Sequence, residues 1–289
     1  MTEFLQFLIA GLVIGSVYGL IGIGFTAVYN VTGIVNFAQG DFAMLGAMAT
    51  IALLAVGAPI LVAVAIAILL VAALAAAIER FAIRPLAGNV IRGIVITIGV
   101  GIMIQGAVVI TWGAEPLAMR PFSGDDPIRI AGATMPPQAI WVIGIALLSM
   151  LLLSLFFSHT YLGRAFRACA VNPVGAKLIG IRVASMSRLG FILSGTFGAI
   201  AGIIVAPITL TDFDTGVAIG IKGFVAGIIG GFGHPIGAAL GGLVLGLTEA
   251  FVSGYVSSGL KNAIAFLLLL LFLFCRPTGI LGELEKVER

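Results

Sequence analysis

Long apolar stretches, separated by short polar connections, account for most of the chain. They lie at residues 4–29, 41–56, 59–79, 91–112, 139–157, 187–210, 217–232, 235–253 and 260–275. A helix that crosses about 30 Å of hydrocarbon needs about 20 residues, because each residue adds about 1.5 Å. The pattern therefore predicts an all-α polytopic membrane protein with eight or nine transmembrane or re-entrant helical segments, and with residues 1–289 forming a single transmembrane domain.

The composition also indicates a membrane protein. Hydrophobic residues make up 61% of the 289 residues, charged residues make up 9%, and the mean hydropathy is +1.23. A soluble domain has roughly a quarter of its residues charged, so this chain lacks the polar side chains to cover its own surface. The 40 glycines favour helices that pack closely. The two distant cysteines, Cys169 and Cys275, are expected to be reduced cytoplasmic or interfacial thiols.

Basic residues set the expected orientation. Arg80, Arg84 and Arg92 flank one connection, residues 158–187 are basic without a single acid, and the C-terminal residues are also basic. The positive-inside rule places these three regions in the cytoplasm. The proline-rich connection 113–138 also carries acids and is expected outside. Nine crossings would put the N-terminus outside, and a re-entrant segment would reverse it.

Two of the apolar segments are too short to span a membrane alone. Residues 42–56 form 15 residues, about 22 Å of helix, and 217–232 shows a similar deficit. Each can span only if the polar residues before it lie at membrane depth. Interrupted hydrophobic segments in corresponding positions of two halves indicate broken helices, an internal repeat and a transport path. The candidate residues for the substrate path or gate are Asn36, Gln39, Asp41, Asp212, Lys222 and Glu249.

The polar residues of the first break have two possible roles. Asp41 could cap a helix that begins at Phe42, where the helix dipole favours a carboxylate. It could also line the path, since an ionisable residue within a span is costly and marks function. Asn36 and Gln39 could satisfy backbone groups freed at the break, or could line the path as well.

The charged residues of the second half also have several possible partners. Lys222 could neutralise Asp212 or Asp214 across the second break. Glu249 lies within an apolar segment and needs a polar partner or water, because a charge buried without compensation costs several kcal/mol. Gln105 and Lys222 are both candidates for that partner.

The sequence lacks the motifs of an enzyme. No Walker A motif is present, since GVAIGIKG at 216–223 has the wrong spacing, and no GxSxG motif occurs. His159 and His234 are far apart in sequence, without an HExxH motif or a nearby acid, so a metal site is not expected. We predict no catalytic residues, no metal ligands, no cofactor of its own and no nucleic-acid partner.

Residues 161–188 form the most informative soluble stretch. Asn172 followed by Pro173 predicts a helix start, with Asn as the N-cap and Pro in the first turn. The helix would end near Gly180 after about two turns. Its apolar side chains are Val174, Leu178 and Ile181. This stretch could be an interfacial loop held by anionic lipid headgroups, or a docking helix for a cytosolic partner.

The same stretch resembles the docking loop of ABC importer permeases, in particular the branched-chain amino acid (Liv-type) permease subunits. GLVIGSVYGLIGIGFTAVYNVTGIVNFAQGDFAMLGA resembles the N-terminal signature of that family, and KGFVAGIIGGFGHPIGAALGGLVLGLTEA and RPTGILGE resemble its C-terminal signatures. The resemblance covers the chain from about Phe7 to Glu283. One departure is Val171, where the family often has an acid just before the Asn-Pro pair.

The resemblance implies a permease subunit of an ATP-driven importer for leucine, isoleucine or valine in the bacterial inner (plasma) membrane. Its implied partners are a homologous second permease, two cytosolic subunits that bind the ATP, and an extracytoplasmic substrate-binding protein. The chain itself would not be an enzyme. The residues implied to dock the ATPase are Arg164, Arg167, Asn172, Pro173, Ala176, Gly180 and Arg182.

Two other functions are compatible with parts of the sequence. A related permease could carry urea, short amides or another small solute. An ion-coupled secondary transporter could use Asp41, Asp212 and Glu249 as proton or sodium sites, but it would not need the basic docking loop. An intramembrane enzyme is excluded because no catalytic constellation is present.

Overall fold

A computed structural model describes residues 2–86, 89–124, 126–130 and 132–282. The helices are α1 (Thr2–Thr32), α2 (Gln39–Ala55), α3 (Ile60–Ile78), α4 (Val90–Trp112), α5 (Gln138–His159), α6 (Tyr161–Val171), α7 (Pro173–Leu178), α8 (Val183–Val205), α9 (Thr215–Gly230), α10 (Pro235–Tyr255) and α11 (Lys261–Cys275). A π-helical turn, Glu79–Ile83, and a 3-10 turn, Arg84–Leu86, extend α3, and a second 3-10 turn, Ser258–Leu260, precedes α11. The strands β1 (Ile128–Ile130) and β2 (Ala133–Met135) form an antiparallel hairpin.

The nine predicted apolar segments all correspond to helices. Seven helices in the described part of the chain are long and apolar enough to cross a membrane, and α2 and α9 are shorter apolar helices. The prediction of an all-α polytopic membrane protein with eight or nine segments is therefore confirmed. The hairpin β1–β2 was not predicted, because strands of three residues are too short to show a two-residue alternation.

The contacts at the two ends of α1 agree with a chain that crosses the membrane nine times. Near the N-terminus, the Gln6 amide bonds the backbone of Thr134 in β2, at 3.1 and 3.3 Å. The N-terminus therefore lies on the same side as the connection 113–138, which was predicted to be external. At the opposite end, Val31 of α1 is buried in one cluster with Phe166 of α6, so α1 runs from the side predicted to be external to the side predicted to be cytoplasmic.

Small residues let α1 pack directly against the backbone of α10. A Cβ built on Gly11 would lie 2.8 Å from Leu247 Cα, and one built on Gly15 would lie 2.8 Å from the carbonyl oxygen of Gly242. These separations are closer than real Cβ contacts, so only glycine allows this approach. The glycines spaced four residues apart along α1 therefore serve packing within the chain.

The helix pairs reveal an inverted repeat. The unit α1–α2–α3 and the unit α8–α9–α10 each contain a break before their middle helix. The set of packed pairs α1·α8, α2·α9, α1·α10, α3·α8, α1·α9 and α2·α8 is unchanged when α1, α2 and α3 are exchanged with α8, α9 and α10. Gly190, early in α8, lies against Ala27, late in α1, so the two units run in opposite directions. This arrangement is typical of transporters.

Candidate functional site

The first break carries its polar residues into the interior of the helix bundle. After α1 ends, residues 33–38 run without regular structure along α4. The backbone N–H of Phe37 donates to Thr97 Oγ1 at 3.2 Å, and α2 begins close to Gly101, halfway along α4. Residues 33–55 therefore form one polar-to-apolar segment, in which the short non-helical stretch 33–38 leads into the 17 helical residues of α2. The predicted broken helix is confirmed.

Asp41 does not cap the helix that follows it. The helix begins at Gln39 rather than at Phe42, so Asp41 lies within its first turn. Its carboxylate Oδ1 instead accepts a hydrogen bond of 2.8 Å from the Nε2 of Gln105 on α4. The cap interpretation was therefore wrong, and the Asp41 side chain, which is 4% exposed, ties α2 to α4.

The N-termini of α2 and α9 meet at this carboxylate. A Cβ on Gly216, in the first turn of α9, would lie 2.9 Å from Asp41 Oδ1, and a Cβ on Gly220 would lie 3.1 Å from Gly40 Cα. The positive ends of two helix dipoles therefore converge on one anionic side chain, an arrangement that stabilises negative charge.

The two amides of the first break do not serve the backbone of the break. Gln39 Nε2 donates to the Ser194 carbonyl oxygen of α8 at 3.1 Å, and the Ser194 hydroxyl donates to Gln39 Oε1. Asn36 is fully buried, and neither polar atom of its side chain has a hydrogen-bond partner among the described residues. The expectation that both residues satisfy freed backbone groups was wrong, because Gln39 links α2 to α8 and Asn36 has no such contact.

The second break mirrors the first and begins from the external side. Thr211 pairs with Leu117 of the 113–138 connection through two backbone hydrogen bonds of 2.8 and 2.9 Å. Asp212 and Thr215 then cap each other: the Thr215 N–H donates to Asp212 Oδ1 at 2.8 Å, and the Asp212 N–H donates to Thr215 Oγ1 at 3.0 Å. Asp212 therefore fixes the start of α9, in the manner of a capping box.

Lys222 and Glu249 form a buried ion pair. Lys222 Nζ lies 2.5 Å from Glu249 Oε1, and Lys261 Nζ lies 3.4 Å from the same oxygen. Lys222 was thus correctly named as a partner of Glu249. In the described part of the chain, however, it makes no ion pair with Asp212 or Asp214, so that expectation was wrong. A cavity of about 350 Å³ between α1, α9 and α11 adjoins the pair.

The predicted helix of the cytoplasmic loop is present as α7. The Asn172 side chain accepts a hydrogen bond of 2.8 Å from the Gly175 N–H, Pro173 occupies the first turn, and Gly180 has a φ of +88° just beyond the end. Both predicted ends of the helix are confirmed. Sequence reasoning did not resolve α6, which packs beside α7.

The α6–α7 surface presents apolar side chains and cations together. Val171 and Leu178 are 88% and 85% exposed, on a stretch that also carries arginines. An open groove of about 640 Å³ runs between the two helices. The predicted docking residues Arg164, Arg167, Asn172, Pro173, Gly180 and Arg182 are exposed here. Ala176 is buried and packs inward, so its place is structural.

Several residues of these sites were not found from the sequence. No pattern in the surrounding sequence marked Ser194 or Lys261 as part of a site. Gln105 was considered as one of two candidate partners of Glu249, but not as a partner of Asp41. Tyr18 was also missed, although its ring lies 5.5 Å from the Lys222 ammonium.

Comparisons with known proteins agree along nearly the whole chain. The family model described as "Branched-chain amino acid transport system / permease component" matches residues 7–273. The chain is 36% identical over 302 residues to the high-affinity branched-chain amino acid transport system permease protein BraD of Pseudomonas aeruginosa, covering 99% of this chain and 98% of that protein. It is also 36% identical over 303 residues to the corresponding permease LivH of Escherichia coli, covering 98% of each.

One solved structure shows the same fold. A chain in PsaBC from Streptococcus pneumoniae in complex with Fab aligns with a TM-score of 0.57 at 14% identity, over 96% of this chain and 93% of that chain. The family model covers most of the chain, and BraD and LivH each match at least 98% of it. The protein therefore belongs to the family of permease components of branched-chain amino acid transport systems.

Proposed function

We propose that this chain is the permease subunit of an ATP-driven importer of branched-chain amino acids. The observation that carries the proposal is the match to BraD and LivH over 98% or more of the chain, because each is named as a permease of a high-affinity branched-chain amino acid transport system. The substrate path would lie at the two broken helices, where the interior is polar. The bundle would sit in the bacterial inner membrane beside a homologous second permease.

The α6–α7 surface is the proposed docking site for the cytosolic ATP-binding subunits. It combines exposed aliphatic side chains with Arg164 and Arg167 around an open groove, and a helix that inserts into a groove of a partner is a common recognition mode. The sequence has no Walker A motif, so ATP would be bound by the partners. On the opposite face, an extracytoplasmic binding protein would deliver the substrate.

A displacement at the α6–α7 surface can be transmitted to the first break through few contacts. Phe166 of α6, Ala176 of α7 and Met186 of α8 share one buried cluster with Val31, close to the end of α1. The break at residues 33–38 begins directly after that helix. A displacement of α7 by the ATPases would therefore move the end of α1 and the segment that leads to Asp41. Such a rigid-body coupling is typical of alternating access.

Uptake in whole cells tests this function. The permease pair, the two ATPases and the binding protein would be expressed in cells that lack their own branched-chain amino acid importers. We expect uptake of labelled leucine, isoleucine or valine that requires all the subunits. Uptake of urea or a short amide instead of these amino acids would show that the permease carries a different substrate. Leucine uptake that persists without the ATPases would overturn the proposal.

A pair of matched variants tests the docking surface in the same cells. Leu178→Asp places a charge on the exposed apolar face of α7, whereas Ile91→Asp places the same charge at an exposed aliphatic position at the start of α4. We expect Leu178→Asp to abolish copurification of the ATPases and uptake, and Ile91→Asp to keep both. Copurification at the wild-type level in Leu178→Asp contradicts the assignment of this surface.

A further inference from the structure

We propose that the cavity between α1, α9 and α11 is a binding pocket for the zwitterionic backbone of an α-amino acid as it passes through the permease. The inference rests on the proposed function and extends it to a specific site. The cavity measures about 350 Å³, which lies in the range of small-molecule pockets. Its apolar wall includes Ile14, Val17, Val205 and Ile219, which suits an aliphatic side chain.

One wall of the pocket carries an excess of positive charge. Lys222 and Lys261 both line it, and both contact the same oxygen of Glu249. Two ammonium groups thus share one carboxylate, which leaves one positive charge without an anionic partner in this cluster. The Lys261 side chain is 41% exposed and its contact with Glu249 is the longer one, at 3.4 Å. Since an ammonium has three donors, Lys261 can bind the carboxylate of a ligand.

The same cavity also has anionic residues. Asp212 and Asp214 both line it. Asp212 Oδ1 is already bonded by the capping interactions with Thr215. The Asp214 side chain, in contrast, makes no capping bond to α9 although it directly precedes that helix, and it is exposed. Asp214 is therefore the better acceptor for a ligand ammonium.

The charged residues of the cavity suit a molecule that carries both of its charges at one end. Lys222 follows Asp214 by eight residues, about 12 Å along a helix axis, and Lys261 contacts the same carboxylate oxygen as Lys222. Helical side chains lean toward the N-terminus, so the Lys222 ammonium lies closer to Asp214 than its backbone does. A ligand whose carboxylate and ammonium are attached to one carbon can then contact cations and anions of the cavity while its side chain faces the apolar wall.

A second cavity continues the path. It measures about 280 Å³ and shares Ile14 and Lys261 with the first. Glu249 lines it, and the Oε2 atom of Glu249 is buried without a hydrogen-bond partner among the described residues. Burial of a carboxylate oxygen without a hydrogen bond lowers the stability of the folded protein. The oxygen is an acceptor for an ammonium, so the second cavity suits the same ligand class.

A purely structural role would explain only part of this arrangement. The Lys222–Glu249 pair alone would hold α9 to α10, whatever lies in the cavity. That role does not account for Lys261 and Asp214, which also line the cavity. A test must therefore use these two residues and must measure discrimination between ligands, since discrimination does not follow from stability.

Binding to the purified complex of the two permeases and the two ATPases, without the binding protein, provides this test. The probes are labelled leucine, leucinamide, which lacks the carboxylate, and 4-methylpentanoate, which lacks the ammonium. Wild type should prefer leucine to both by about tenfold or more, as expected for the loss of a charge-assisted hydrogen bond. Lys261→Gln should remove the preference over leucinamide, and Asp214→Asn should remove the preference over 4-methylpentanoate.

Two pairs of controls keep the test decisive. Lys261→Arg and Asp214→Glu retain the charges and should retain the wild-type preferences, even if they alter stability. Asp126→Asn and Arg129→Gln make similar charge changes on the exposed external connection, away from both cavities, and should bind as wild type does. If Lys261→Gln and Asp214→Asn keep the wild-type preferences, or if wild type binds none of the probes, the pocket is refuted.

The outcome for the pocket is separable from the outcome for the proposed function. ATP-dependent leucine uptake by wild type, together with unchanged preferences in both variants, would refute the pocket and leave the function intact. Selective binding that these variants abolish, in a complex that transports no branched-chain amino acid, would overturn the function and support the pocket.

Discussion

The buried Lys222–Glu249 pair gives the sharpest prediction for stability. The two side chains are 13% and 2% exposed and lie on α9 and α10. Removal of one partner from a buried pair costs about 3–5 kcal/mol, because the remaining charge loses its compensation. Replacement of both partners by apolar residues costs much less, since no buried charge remains.

Lys261 determines which single variant is worse. In Lys222→Met, Glu249 keeps Lys261 at 3.4 Å, so the cost should be near the lower limit, about 3 kcal/mol. In Glu249→Leu, Lys222 remains buried beside a second ammonium, so the cost should be near the upper limit, about 5 kcal/mol. The double variant should lose about 2 kcal/mol or less, because Lys261 can turn toward water.

The assay is the free energy of unfolding in lipid bicelles, measured by steric trapping for wild type, both single variants and the double variant. We expect the order Glu249→Leu, Lys222→Met, double variant, from the largest to the smallest loss of unfolding free energy. Single-variant costs below about 1 kcal/mol that add up in the double variant would show that the pair is solvated. That result would refute the assignment of a buried ion pair.

The remaining predictions concern packing, the docking loop and the thiols. Gly40→Ala should prevent assembly of the helix bundle, because its Cβ would overlap the start of α9. Gly99→Ala faces open space, so this control should elute as wild type does in size-exclusion chromatography. Gly180→Asp should insert but transport poorly, since its φ of +88° disfavours a side chain; wild-type uptake would contradict this. Burial raises the pKa of the Cys169 thiol, so maleimide at neutral pH should label Cys275 far faster, and equal labelling would contradict the fold of α6.

The fold was largely predictable because lipid leaves few alternatives. A backbone in hydrocarbon must satisfy its own hydrogen bonds, so each apolar run becomes a helix. The break before Asp41 followed from the length of the next segment, and the start of α7 followed from Asn172 and Pro173. These signals are local, and a single sequence contains them in full.

The partners of the polar side chains were less predictable. Gln105 and Asp41 are 64 positions apart, and Lys222 and Glu249 are 27 apart. Helices that are apolar on all sides give no sign of which face meets which neighbour. Several partners therefore remained possible until the packing was known, and the capping role of Asp41 was wrong for that reason.

The initial rate of leucine uptake into proteoliposomes that contain both permeases, both ATPases and the binding protein separates an ATP-driven importer from an ion-coupled transporter. We expect uptake that requires ATP on the cytoplasmic side and survives ionophores that dissipate proton and sodium gradients. Uptake that continues without ATP and stops when those gradients are dissipated would contradict this expectation.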